Sequence, residues 1–156
     1  MFDTIFLLST IFSLSSLLTM PFWLLMILLP SWRWTKHIMQ SIWPILPAAL
    51  AYALLVLPNL LTLLPALANP ELSTIAPLLG TPAGATIGWI HFLAFDLFVG
   101  RWVYLDSQQR GIHPVPTAIV LFFILMFGPL GFLLYFLLRT VAGRQATRAQ
   151  AAPKPA

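Results

Sequence analysis

Residues 81–106 read TPAGATIGWIHFLAFDLFVGRWVYLD. Thr81 is a good helix N-cap, and Pro82 suits the first helical position, where an N–H would lack a partner anyway. The residues that follow predict one helix over about 82–105. Gly84 and Gly88 form a GxxxG step on it that lets another helix approach closely. At about 1.5 Å per residue, Asp96 lies roughly 21 Å along a helix that must cross about 30 Å of hydrocarbon. A carboxylate at that depth costs roughly 3 kcal/mol. It must face the interior of a helix bundle with a partner, or be protonated.

The rest of the chain repeats the pattern. Twelve Asp, Glu, Lys and Arg side chains occur in 156 residues, or 8 %, against roughly 25 % in soluble domains. Hydrophobic residues make up 60 % and the mean hydropathy is +0.91. Between the charges lie four charge-free runs, 4–32, 37–70, 72–95 and 111–138. Each can hold the roughly 20 apolar residues of a membrane-crossing helix. This excludes a soluble enzyme, a disordered chain and a nucleic-acid-binding domain. The net charge of +4 then belongs at helix ends among lipid headgroups, so the expected partner is membrane lipid and not nucleic acid.

The predicted fold is therefore all-α: a polytopic membrane protein with four transmembrane helices and proline kinks. The helices are expected at about 4–29, 41–64, 82–105 and 117–139, forming one domain over 1–140. A basic, disordered tail is expected over 141–156. The first run lacks the basic start and small-residue cleavage site of a signal peptide and reads as a retained helix. It carries Pro21, and Ser9, Ser13 and Ser16 make a hydroxyl face suited to close packing. The linker 31–40 alternates Trp32 and Trp34 with Arg33, Lys36 and His37, a composition the headgroup region selects. Residues 65–81 are too proline-rich to span and suggest a loop or shallow re-entrant hairpin. Gly128-Pro129-Leu130-Gly131 predicts a kink in the last helix. Basic residues divide four against four between the two sides, so charge leaves the orientation open.

Chemistry has few places to sit. The absence of cysteine excludes disulfides, thiolate metal sites and cysteine nucleophiles. His37, His91 and His113 form no paired ligand box, so no metal or other cofactor is expected. His91 and Asp96 are the groups inside a span, yet at 100° per residue they point 140° apart. A concerted site would need residues from other helices. A structural role, with Asp96 paired to an arginine and Arg101 reaching for the headgroups, fits the residue types equally well.

The helix over 82–105 carries the pattern W-I-H-x-L-x-x-D-L-F-x-x-R-x-V-Y-x-D, from Trp89 to Asp106. With Pro21-Phe22, Thr35-Lys36 and Pro129-Leu130-Gly131, it resembles the abscisic-acid-deficient-4-like family over most of residues 5–140. Plant members of that family are called neoxanthin synthases, and bacterial ones are mostly labelled as a domain of unknown function. The resemblance implies a bacterial or cyanobacterial protein of the plasma membrane or a thylakoid-type membrane, concerned with carotenoids. It implies an epoxide-to-allene isomerisation by acid–base chemistry without a redox cofactor. His91 and Asp96 would be the catalytic acid and base, while Trp89, Arg101, Tyr104 and Asp106 would bind the substrate's polar ring end. The alternative is a non-catalytic membrane subunit or assembly factor of a pigment–protein complex. Gly84 and Gly88 would then be the contact for a second copy or a membrane-complex partner.

Overall fold

The computed structural model describes residues 2–151, and for residues 2, 4 and 144–151 the backbone alone. All elements among the described residues are helical. In chain order they are α1 (Phe2–Leu28), α2 (Arg33–Gln40), α3 (Leu46–Val56), a 3₁₀ turn (Leu57–Asn59), α4 (Leu60–Ala68), α5 (Leu72–Leu79), α6 (Pro82–Gln109), α7 (Pro114–Phe127) and α8 (Pro129–Ala151). Three stretches are long and apolar enough to cross a membrane: Ile5–Leu28, Leu46–Ala68 and Pro82–Gln109.

Prolines account for most of the boundaries. Pro47 sits in the first turn of α3, where its missing N–H costs nothing, so the second span starts five residues later than the sequence suggests. Pro58 produces the 3₁₀ turn that separates α3 from α4. The stretch expected as a loop or hairpin contributes the end of α4 and the short helix α5. Gly111, at φ +64°, closes α6: its N–H donates to Gln108 O and that of Ile112 to Ser107 O. That pair of bonds satisfies carbonyls the helix end leaves open, and the left-handed position favours glycine. His113 then starts α7, its Nδ1 accepting from Val115 N at 3.3 Å.

The fourth expected span is corrected. It is not one kinked helix but two, α7 and α8, with apolar stretches at Pro114–Phe127 and Pro129–Gly143 that are both too short to cross alone. Gly128 adopts φ +39°, and Pro129 has no N–H with which to continue the ladder. The bend is sharp enough to bring Gly131 against the backbone of Phe123 and Ile124. A methyl on Gly131 would lie 2.6 Å from Ile124 Cα, whereas residues seven apart in a straight helix are about 10 Å distant. Helix α8 also continues through 141–151, within the region expected as a disordered tail; residues 152–156 lie outside the described residues.

The chain divides into two compact units. One comprises Met1–Pro21 with Ile42–Phe95, the other Phe22–Ser41 with Asp96–Ala156. Buried residues of the first include Ser15, Thr19, Ile45, Ala48, Thr86 and Ile90, several of them small. Those of the second are larger: Trp23, Met26, Met39, Leu97, Tyr104, Leu121, Ile124 and Tyr135. Hydroxyls along α1 turn back on their own helix, as Ser9 to Phe6 O at 2.8 Å and Ser15 to Phe12 O at 2.7 Å. Such back-bonding satisfies a hydroxyl where no water is available. Phe6, Leu17, Leu54, Leu61 and Leu133 are exposed, as lipid-facing side chains are.

Replacing Gly131 with alanine should force α8 off α7 and destabilise the protein by about 1–3 kcal/mol, the usual range for overpacking. Gly88→Ala is the contrast, because its new Cβ meets Leu79 at an ordinary 3.7 Å. It should be neutral or slightly stabilising, since alanine is the better helix former. Tryptophan-fluorescence melting in detergent would compare the two, and an equal effect at both positions would refute the tight approach at Gly131.

Candidate functional site: an apolar cavity beside His91

The start of α6 is built as its sequence suggests. Thr81 Oγ1 accepts the N–H of Gly84 at 3.0 Å, and Pro82 follows at the first helical position. Gly84 lies directly against the carbonyl of Leu78, and a Cβ on Gly88 would touch the Leu79 side chain. The GxxxG step is thus covered by the end of α5 in the same chain. Trp89 ties α6 to α1, donating from Nε1 to Ser16 Oγ at 2.9 Å and stacking on Phe12 at 5.1 Å.

Between α3, α4, α5 and α6 of the first unit lies a cavity of about 510 Å³. Val56, Leu63, Leu67, Ile75, Leu78 and Ile87 make its walls apolar. Its volume is in the range of small-molecule sites, which are mostly apolar with a few placed polar groups. Five polar side chains line it: Tyr52, Asn59, Thr62, Thr81 and His91. Three are engaged with backbone carbonyls: Asn59 Nδ2 donates to Leu55 O, Thr62 Oγ1 to Asn59 O and Thr81 Oγ1 to Leu78 O. Tyr52 and His91 have no hydrogen-bond partner among the described residues. The His91 ring is held by aromatic neighbours, stacked on Phe95 at 4.7 Å and tilted against Tyr52 at 5.4 Å. A fixed imidazole and a nearby phenol, both unoccupied, therefore share an apolar cavity.

The other residues singled out from the sequence belong to the second unit. Asp96 stands beside the break between α7 and α8: a methyl on Gly128 would fall 2.6 Å from its Oδ1. It has no hydrogen bond or ion pair among the described residues. The C-terminal end of α7 and the N-terminal end of α8 both meet at that glycine. Arg101 does not reach outward. It donates from Nε to Ser41 O and from Nη2 to Gln40 O, both at 2.9 Å, and so caps the C-terminal end of α2. The Tyr104 hydroxyl, fully buried, donates to Pro30 O at 2.7 Å. Asp106 Oδ2 accepts from Tyr135 at 2.6 Å and Arg110 at 2.7 Å, with Arg139 Nε at 3.3 Å. Arg139 in turn lies over the Trp102 ring.

Of the six residues, His91 lines the cavity, while Trp89, Arg101, Tyr104 and Asp106 hold helices and the α1–α2 linker in place. His91 and Asp96, read from sequence as an acid–base pair, fall in different units. Tyr52 was not anticipated. Its signal is slight: a single phenol in the charge-free run 37–70.

The family model described as ABA DEFICIENT 4-like matches residues 10–135. The chain belongs to the ABA DEFICIENT 4-like family. It is 28 % identical over 146 residues to Protein ABA DEFICIENT 4, chloroplastic, of Arabidopsis thaliana, covering 88 % of this chain and 64 % of that protein. The chain thus spans just under two thirds of that relative's length. No solved structure matches it.

The Asp106 cluster can be ranked by substitution. Tyr135→Phe removes a short bond to a carboxylate and should cost about 2 kcal/mol. Arg110→Gln should cost less than about 1 kcal/mol, because the Arg110 side chain is 41 % exposed and water screens the pair. Thermal melting of both variants in one detergent checks the order, and a larger loss at Arg110 would reverse the assignment of Tyr135 as the main support.

Proposed function

We propose that the cavity beside His91 takes one end of an apolar, ring-terminated isoprenoid of the carotenoid class, and that His91 and Tyr52 move protons on it. The observation that carries this reading is the pair of unpartnered polar groups in a largely apolar cavity. Family membership supports it, as does the relative's name, which links that protein to a deficiency in abscisic acid and to the chloroplast. The reaction proposed is the isomerisation of an epoxy-carotenoid to an allene, as the family resemblance implies.

That reaction asks for little beyond placed acid and base. A base removes a proton from the chain carbon next to the ring. The electron pair left behind forms the new double bond of the allene as the epoxide C–O bond breaks. The released oxygen takes a proton and becomes a hydroxyl, so nothing is gained or lost overall. His91 is suited to accept the proton from carbon, since a neutral imidazole has a free nitrogen lone pair. The Tyr52 hydroxyl is suited to donate to the oxygen. Their rings lie 5.4 Å apart, and the cycle closes when His91 has lost the proton it took and Tyr52 has regained one. Apolar walls keep water from competing for the proton. Asp96, beside Gly128 in the other unit, is left outside this pair.

Expression of the chain in cells that make epoxy-carotenoids, followed by pigment chromatography, tests the reading. The unaltered chain should yield the allenic isomer. His91→Phe, which keeps the aromatic packing, and Tyr52→Phe should each lower the yield by about 100-fold or more, the usual worth of a positioned acid or base. Full conversion by both variants would sink the assignment of these two groups.

A further inference from the structure

We propose that α2 and the end of α6 form a binding site for the anionic headgroup of a membrane lipid, independent of the cavity beside His91. The first span ends at Leu28 and α2 begins five residues later. Arg101 and Tyr104, near the end of the span in α6, bond to Gln40 and Ser41 at the end of α2 and to Pro30 before its start. Both elements therefore meet where hydrocarbon gives way to headgroups. Thr35 and Met39 are buried and anchor one face of α2. The other face exposes Trp32 and Trp34, both 47 % exposed, together with Arg33, Lys36 and His37. A helix of this kind, with tryptophan and cations on its open face, suits the interface plane.

The open face includes a built hollow. A cavity of about 300 Å³ is lined by Lys36, Gln40, Tyr104, Leu105, Gln108 and Gln109. The Tyr104 hydroxyl is taken by Pro30 O. Lys36, Gln40, Gln108 and Gln109 have no side-chain hydrogen bond or ion pair among the described residues. One ammonium and three carboxamides thus face the same space as free donors. A second hollow of about 340 Å³, lined by Arg33, Trp34 and His37, lies along the same helix. Arg33 rests over the Trp34 ring at 5.3 Å and has no carboxylate partner among the described residues. The acids of this unit are occupied or distant in role: Asp106 is paired with Arg110 and Arg139, and Asp96 stands at Gly128. The Arg101 guanidinium covers the carbonyls at the end of α2, which would otherwise repel an anion. Two uncompensated cations at headgroup depth, beside amide donors, suit the phosphodiester of an anionic lipid.

The test uses the full chain purified in mild detergent and given an equimolar mixture of phosphatidylglycerol and phosphatidylcholine, with bound lipid counted by native mass spectrometry. Phosphatidylglycerol should be retained in excess. Lys36→Gln should lower that preference about fivefold and Arg33→Gln with Lys36→Gln further, in keeping with the usual worth of a cation at an anionic surface. Lys36→Arg should retain it. Should the double variant aggregate, Gln108→Ala with Gln109→Ala reads the same ratio and should lower it several-fold. Equal retention of the two lipids by the unaltered chain, or a ratio unchanged in the soluble variants, overturns the proposal. So does full displacement of phosphatidylglycerol by an excess of inorganic phosphate, which would mark a site for free anions. Pigment conversion is not read in this experiment, so its failure leaves the cavity beside His91 untouched.

Discussion

In hydrocarbon there is no water to take up a stray donor or acceptor, and this constraint organises the polar residues of the chain. Serines of α1 bond back to their own helix. Arg101 covers two carbonyls at the end of α2, Tyr104 covers that of Pro30, and Asp106 gathers a phenol and two guanidiniums. The contacts of Arg101, Tyr104 and Asp106 also fix the position of a helix or linker, so satisfying the polar group and setting the fold are one event there. A few groups break the pattern. Trp23 Nε1 and Thr35 Oγ1 are enclosed without a partner, the Trp23 indole being pressed on Gly100, where a Cβ would come within 2.5 Å of it. Tyr52 and His91 differ because they line an open cavity, where a ligand can complete them.

Backbone punctuation sets the second layer of the structure. Pro47, Pro58 and Pro129 each remove a donor and so fix where a helix starts or bends. Gly111 and Gly128 supply the two positive-φ turns among the described residues. The pairing of Gly128 with Pro129 matters most for the second unit. It converts what would be one span into α7 and α8, and the absence of a side chain at Gly128 leaves room for the Asp96 carboxylate. The carboxylate stands at this break without a cationic partner among the described residues.

Much of this is legible in the sequence, for identifiable reasons. Charge-free runs reveal membrane spans because the bilayer selects on composition. Thr81-Pro82 reveals a helix start because the cap bond is local. Pro47 marks the start of the second span, because proline favours a helix's first turn whatever the length of the apolar run around it. Whether Gly128-Pro129 would kink or break the helix was not local information. It depends on how closely Gly131 can approach the backbone of α7. The same limit applies to the site: His91 stands out by type and depth, but Tyr52 acquires meaning through the helices that bring it to the same cavity.

The motif on α6 is therefore two things overlaid. Trp89, Arg101, Tyr104 and Asp106 are engaged with Ser16, the carbonyls around α2, Pro30 and the Tyr135 cluster, and so hold helices and a linker in place. His91 and Asp96 are the motif's polar members without such partners, and a membrane imposes a cost on leaving them so. Five positions apart on one helix, they serve separate surroundings: an aromatic-lined cavity for the imidazole, the break between α7 and α8 for the carboxylate. Chemistry assigned to this chain has to be argued from those surroundings, because the greater part of the motif is already explained by the fold.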